Sequence, residues 1–140
     1  MIKVKILEAE NLKLGFKISG HALSVSERRK YGDAYDLICN SVSVLSQSVV
    51  IGIEEVIGID VKYEIKDGFL HINLSNIEIQ DIEKCQVLLN TFEKSVESLI
   101  ESIKLSFANK NSEYIKLLKE EVRPYVNNEP SIICSQKRSR

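Results

Sequence analysis

The feature that most constrains this chain is a stripe of apolar side chains between Ile79 and Phe107. Ile79, Ile82, Cys85, Leu89, Phe92, Val96, Leu99, Ile103 and Phe107 step by three or four residues. That spacing paints one face of a helix of about 28 residues, and such a face has to be laid against another element. Alternating stretches supply the surface. Ile2, Val4 and Ile6 alternate with lysines, and Leu12, Leu14, Phe16 and Ile18 alternate around Gly15 and Lys17, so two half-buried strands join near Glu10 and Asn11. Ile59, Val61, Tyr63 and Ile65, then Leu70, Ile72 and Leu74 beyond the Asp67-Gly68 turn signal, predict a hairpin. From Asp36 to about Ile57 the chain is dense in Leu, Ile and Val, with Ser41, Ser43, Ser46 and Ser48 between them. The stretch is too long for a strand and suits a buried helix.

The order strand, strand, helix, strand, strand, helix predicts an α+β two-layer sandwich. A four-stranded, mainly antiparallel sheet carries two long helices on one face and leaves the other partly polar. Ser112 can cap a short C-terminal helix bearing Tyr114, Ile115, Leu118 and Val122, ended by Pro124, and the tail from Asn127 reads as loosely ordered. The chain thus divides into a domain over 1–108 and an extension over 109–140. With 140 residues, 44% of them hydrophobic, one core is expected.

Charge and cysteine usage remove several function classes. Nineteen Lys and Arg against 20 Asp and Glu leave a net charge of -1, which supplies no field for gathering phosphates, so no direct nucleic-acid partner is expected. The start MIKVKILEAE lacks an apolar run of signal-peptide length, and the apolar region from Val42 to Ile53 is broken by serines, Gln47 and Gly52. A cytoplasmic protein without a membrane partner is the expectation. Cys39, Cys85 and Cys134 are odd in number and widely spaced, which argues against a disulfide framework and a zinc site; no cofactor is expected.

The residues able to carry chemistry flank one polar stretch. Between Ser19 and Tyr35 the apolar pattern vanishes, and Glu27, Arg28, Arg29 and Lys30 read as a solvated loop. His21 stands at its start, after Gly20, which permits a sharp turn and close backbone approach. Cys39 stands at its end. With Asp36 as helix cap, Cys39 would occupy the third helical position, where unpaired N–H groups and the helix dipole stabilise a thiolate and could hold an oxyanion. A thiolate beside an imidazole that accepts and returns its proton is the equipment of cysteine hydrolysis. The other candidates read as structural. Cys85 belongs to the apolar stripe, Cys134 has no companion acid or base, and His71 lies on the polar face of a strand. The serines lack a GxSxG elbow.

Taken in order, Gly20-His21-Ala22, a polar loop with Tyr31-Gly32, and Asp36-Leu37-Ile38-Cys39 followed by Val42-Ser43 resemble the signature of the ribosomal-processing cysteine proteases. Ile51-Gly52, Ile57-Gly58, the hairpin through Gly68-Phe69-Leu70-His71-Ile72 and the closing helix through Ile103-Lys104-Leu105 follow in the family's order, so the resemblance covers roughly residues 1 to 108. It implies a bacterial homodimeric protease with Cys39 as nucleophile and His21 as general base and acid. The implied substrate is the N-terminal segment of large-subunit ribosomal protein twenty-seven, cut after paired aromatic residues. By the same resemblance Asp36 orients His21 or caps the helix, and Gly20 and Ser43 line the substrate site. Asn40-Ser41 departs from the small pair usual after the cysteine, and residues 109 to 140 have no counterpart in short members. The alternative is a non-catalytic ribosome-associated binding module of the same fold. A thiol-redox enzyme is disfavoured because no second cysteine lies close to Cys39.

Overall fold

Strands β1 (Ile2–Ala9) and β2 (Leu12–Ser19) form an antiparallel hairpin. Its two-residue turn, Glu10-Asn11, has φ of 47° and 71°, the left-handed pair that matches strand twist. Residues 1–21, 25–106 and 114–122 are described by this computed structural model, with side chains except those of 25–36. After the hairpin come α1 (Val25–Ile51), a π-helical turn (Gly52–Ile57), β3 (Tyr63–Lys66), β4 (Phe69–Asn73), α2 (Ile79–Lys84), α3 (Gln86–Ser106) and β5 (Ile115–Glu121). The sheet runs β3-β4-β2-β1-β5, antiparallel except where β5 lies parallel to β1. Ile2, Val4 and Ile6 of β1, Phe16 and Ile18 of β2, and Leu70 and Ile72 of β4 turn into one core. Ile38, Val42, Val49, Val50 and Ile53 from α1 and its π-helical turn, with Leu89, Phe92 and Val96 from α3, close it. Phe16 stacks on Phe92 with ring centroids 4.3 Å apart. The α+β sandwich is as expected.

Three local expectations are corrected. The segment expected as a short helix is β5, a fifth strand paired with β1 from Ile2↔Ile115 to Glu8↔Glu121. Its Lys, Leu and Glu residues favour helices, but the open edge of β1 offers a full ladder of partners. Long-range pairing therefore overrides a weak local preference. Second, the long amphipathic helix is divided at Cys85. The Gln86 side-chain amide donates to Ile82 O at 3.0 Å, the carbonyl that a continuous helix would offer to the backbone N–H of residue 86. That amide also accepts from Lys13 N and donates to Lys13 O, both at 2.8 Å, beside the β-bulge between β1 and β2. Third, the polar stretch after His21 is helical from Val25 onward. Glu27 to Lys30 carry no apolar stripe, so periodicity is blind to them. Ser24 and Glu27 do have the spacing of a capping box, the one sequence signal for an early start.

Leu37–Ile57 is long and apolar enough to cross a bilayer by length and composition, yet Ile38, Val42, Val49, Val50 and Ile53 within it are core residues. A charged cluster ties β5 to the rest. Glu93 of α3, 5% exposed, meets Lys13 at 3.2 Å and Lys119 of β5 at 3.4 Å, and Lys13 also meets Glu8 at 3.1 Å. Burial alone would push the Glu93 carboxyl up, but the two lysines outweigh it and hold it below its ordinary value. Burial likewise works against the Lys13 ammonium, and Glu8 and Glu93 together raise it.

Candidate active site

A pocket of about 260 Å³ opens where the end of β2, the middle of α1 and the β3–β4 hairpin converge. It brings together Gly20, His21, Cys39 and Ser43, four of the five residues singled out from sequence. The fifth, Asp36, lies one helical turn before Cys39 on α1, and its side chain is outside the described residues.

Gly20 and Gly68 set the imidazole. Gly20 follows β2 with φ 95°, and a Cβ there would run into the carbonyl oxygen of Met1. Its N–H donates to Gly68 O at 3.0 Å, tying the end of β2 to the hairpin turn. Gly68, at φ 70°, presents a bare Cα to His21, and a Cβ built on it would lie 3.0 Å from Nε2 and 3.1 Å from Cε1. The imidazole is thus seated on a surface that only glycine leaves open.

Cys39 is half-buried, but not at a helix start. It lies 14 residues beyond Val25, about four turns inside α1. Backbone N–H groups there are engaged by the carbonyls four residues earlier, so neither free amides nor the dipole act on the sulfur. The expected capping role of Asp36 falls with the same correction. Ser43 is four residues on, on the same helix face, so its side chain leans back toward Cys39. Its Oγ accepts from Gln47 Nε2 at 2.8 Å.

Gln47, Lys66, Asp67, Gly68 and Phe69 line the pocket and went unassigned by sequence reasoning. The Asp67-Gly68 turn signal was visible, but its proximity to residue 21 arises from long-range β2–β4 pairing, Ser19 opposite Phe69. Cys85 is fully buried in the core, and burial first, with Asp81 second, pushes its thiol up. His71 is half-buried, edge-on to Phe69 at 6.3 Å. Cys134 and the side chains of Glu27 to Lys30 lie outside the described residues. Among the described residues no three His, Cys, Asp or Glu cluster as metal ligands.

The family model of cysteine protease Prp matches residues 1–116. The chain belongs to the Prp family. It is therefore a cysteine protease, as its motifs suggested. No curated protein matches the chain in sequence. Its fold is similar to that of Prp, an essential ribosomal processing protease from Staphylococcus aureus, in complex with a substrate peptide (20% identity, 86% of this chain and 100% of that chain, TM-score 0.65). A Prp structure of the same organism with a covalently linked product peptide gives 23% identity over 86% and 100% of the chains, TM-score 0.57. SMU.848 from Streptococcus mutans gives 24% identity over 86% and 96%, TM-score 0.60.

Proposed function

We propose that this chain is a cysteine endopeptidase of ribosome maturation that removes the N-terminal extension of large-subunit ribosomal protein twenty-seven. The observation that carries the reading is one pocket lined by both His21 and Cys39, with Ser43 a turn beyond the sulfur. The relatives described as ribosomal processing proteases supply the substrate class. His21 takes the Cys39 proton, and the thiolate attacks the scissile carbonyl carbon, forming a C–S bond while the C=O electron pair moves to oxygen. Collapse breaks the C–N bond as His21 returns the proton to the leaving amine, and water then hydrolyses the thioester. Asp36, no longer a cap, serves to orient His21, and Gly20 and Ser43 border the bound peptide.

Replacing Cys39 with Ala abolishes cleavage of a peptide copying that extension with its aromatic pair; undiminished cleavage would end the assignment. The protein works in the cytoplasm as a homodimer. Leu37, Val44 and Ile51 stand exposed at seven-residue steps along α1, an apolar seam suited to a second copy. Val44→Lys should shift the sedimenting species to the monomer, and a wild-type chain that sediments as a monomer at micromolar concentration would refute the dimer.

A further inference from the structure

Placing Cys39 inside α1 leaves a chemical requirement open. The tetrahedral oxyanion needs hydrogen-bond donors aimed at it, and the helix-terminal amides that might have served are absent from this part of α1. The serines of α1 show where a donor arises. A serine inside a helix can turn its hydroxyl onto a carbonyl three or four residues earlier. Ser41 donates to Leu37 O at 2.7 Å, Ser46 to Ser43 O at 3.0 Å and Ser48 to Leu45 O at 2.7 Å. Among these α1 serines, Ser43 departs from the pattern. Its Oγ accepts from Gln47 Nε2 at 2.8 Å instead. An amide N–H is a donor only, so this bond occupies a lone pair of Oγ and leaves the hydroxyl proton to be given elsewhere. Ser46, 2% exposed, meanwhile grips the Ser43 carbonyl, which pins this turn of the helix.

We infer that Gln47 is a positioning residue that makes the Ser43 hydroxyl the hydrogen-bond donor to the substrate carbonyl oxygen under attack by Cys39. The inference rests on the protease reading above. As the C–S bond forms and charge gathers on oxygen, the Ser43 O–H···O bond strengthens, so its contribution falls on the chemical step. No proton need leave Ser43, and His21 remains the group that protonates the leaving amine.

The test is Gln47→Glu, which replaces a donor with an acceptor at an exposed position and so captures the Ser43 proton. With a fluorogenic peptide carrying an aromatic pair before the scissile bond, kcat should fall about tenfold with KM unchanged. Ser43→Ala should lower kcat about a hundredfold. Gln47→Glu added to Ser43→Ala should cost nothing further, because the hydroxyl it disturbs is gone. The rate of Cys39 alkylation by iodoacetamide should match wild type in Ser43→Ala, which leaves the charge of the pocket unchanged. Full kcat in Gln47→Glu, an equal loss on the Ser43→Ala background, or slowed alkylation in Ser43→Ala would overturn the inference. Failure of the underlying reading looks different: a wild-type chain that does not cleave, or cleavage that survives Cys39→Ala.

Discussion

Gly68→Ala tests the seat of His21, and its effect can be worked from two separate costs. The first is backbone. Gly68 has φ 70°, and an L side chain in that region costs about 1–2 kcal/mol, or roughly 3–8 °C in melting temperature for a domain of this size. The second is positional. The new Cβ would lie 3.0 Å from His21 Nε2, whereas heavy atoms of this kind settle at about 3.5–4.0 Å. The imidazole must therefore retreat by roughly 0.5 Å, and since about 1 Å of misplacement at a reacting group costs about a hundredfold, roughly tenfold in kcat/KM is expected. Gly58 separates the two costs. It has φ 84°, with nothing within 4 Å of a built Cβ. Gly58→Ala should melt earlier by a similar margin yet cleave at the wild-type rate. Peptide cleavage and thermal melts on the two variants make the comparison. A Gly68→Ala enzyme as active as Gly58→Ala would refute the seating argument.

Native iodoacetamide treatment should modify Cys39 and spare Cys85, whose thiol is buried and pushed up, until denaturant is added; peptide mapping showing Cys85 labelled first would contradict the core placement. Glu93→Ala should cost about 1–2 kcal/mol in chemical denaturation, because it takes one of two carboxylates from the largely buried Lys13 and leaves it Glu8 alone. Glu93 is held low in the folded chain, so its contribution is complete above its unfolded value of about 4.3 and is lost as pH falls through the folded value. Glu93→Gln should accordingly flatten the acid limb of the stability profile, and an unchanged limb would discount the carboxylate. Ile115→Ala should cost about 2–4 kcal/mol, as truncation of a residue only 4% exposed does; a loss within about 0.5 kcal/mol of zero would mean that β5 is not packed.

What was legible in the sequence is what repeats along it. The β1–β2 hairpin, β4 and the α3 stripe carry period-two or period-three-and-a-half signals, and the core came from those positions. His21, Cys39 and Ser43 were legible as residue types in a motif, and the pocket gathers them. The start of α1 was hidden because Glu27 to Lys30 are polar around the whole helix, so no stripe announced it. The strand β5 was hidden because its pairing partner is far off in sequence, and local composition could not reveal it. The hairpin contribution to the site was hidden for the same reason. Gly68 reads as a turn residue until β4 is laid beside β2 and its bare Cα meets the imidazole.

The parallel partnership of the first strand with residue 115 and beyond has a consequence for how this enzyme comes into being. Ile2 both borders the pocket and takes its place opposite Ile115, and its N–H donates to Tyr114 O at 2.8 Å. During synthesis the wall of the catalytic chamber therefore waits for a segment translated more than a hundred residues later, a closure of high contact order and slow assembly. A nascent chain therefore carries Cys39 long before Ile115, the residue that pairs with Ile2 at the pocket's edge, has been made.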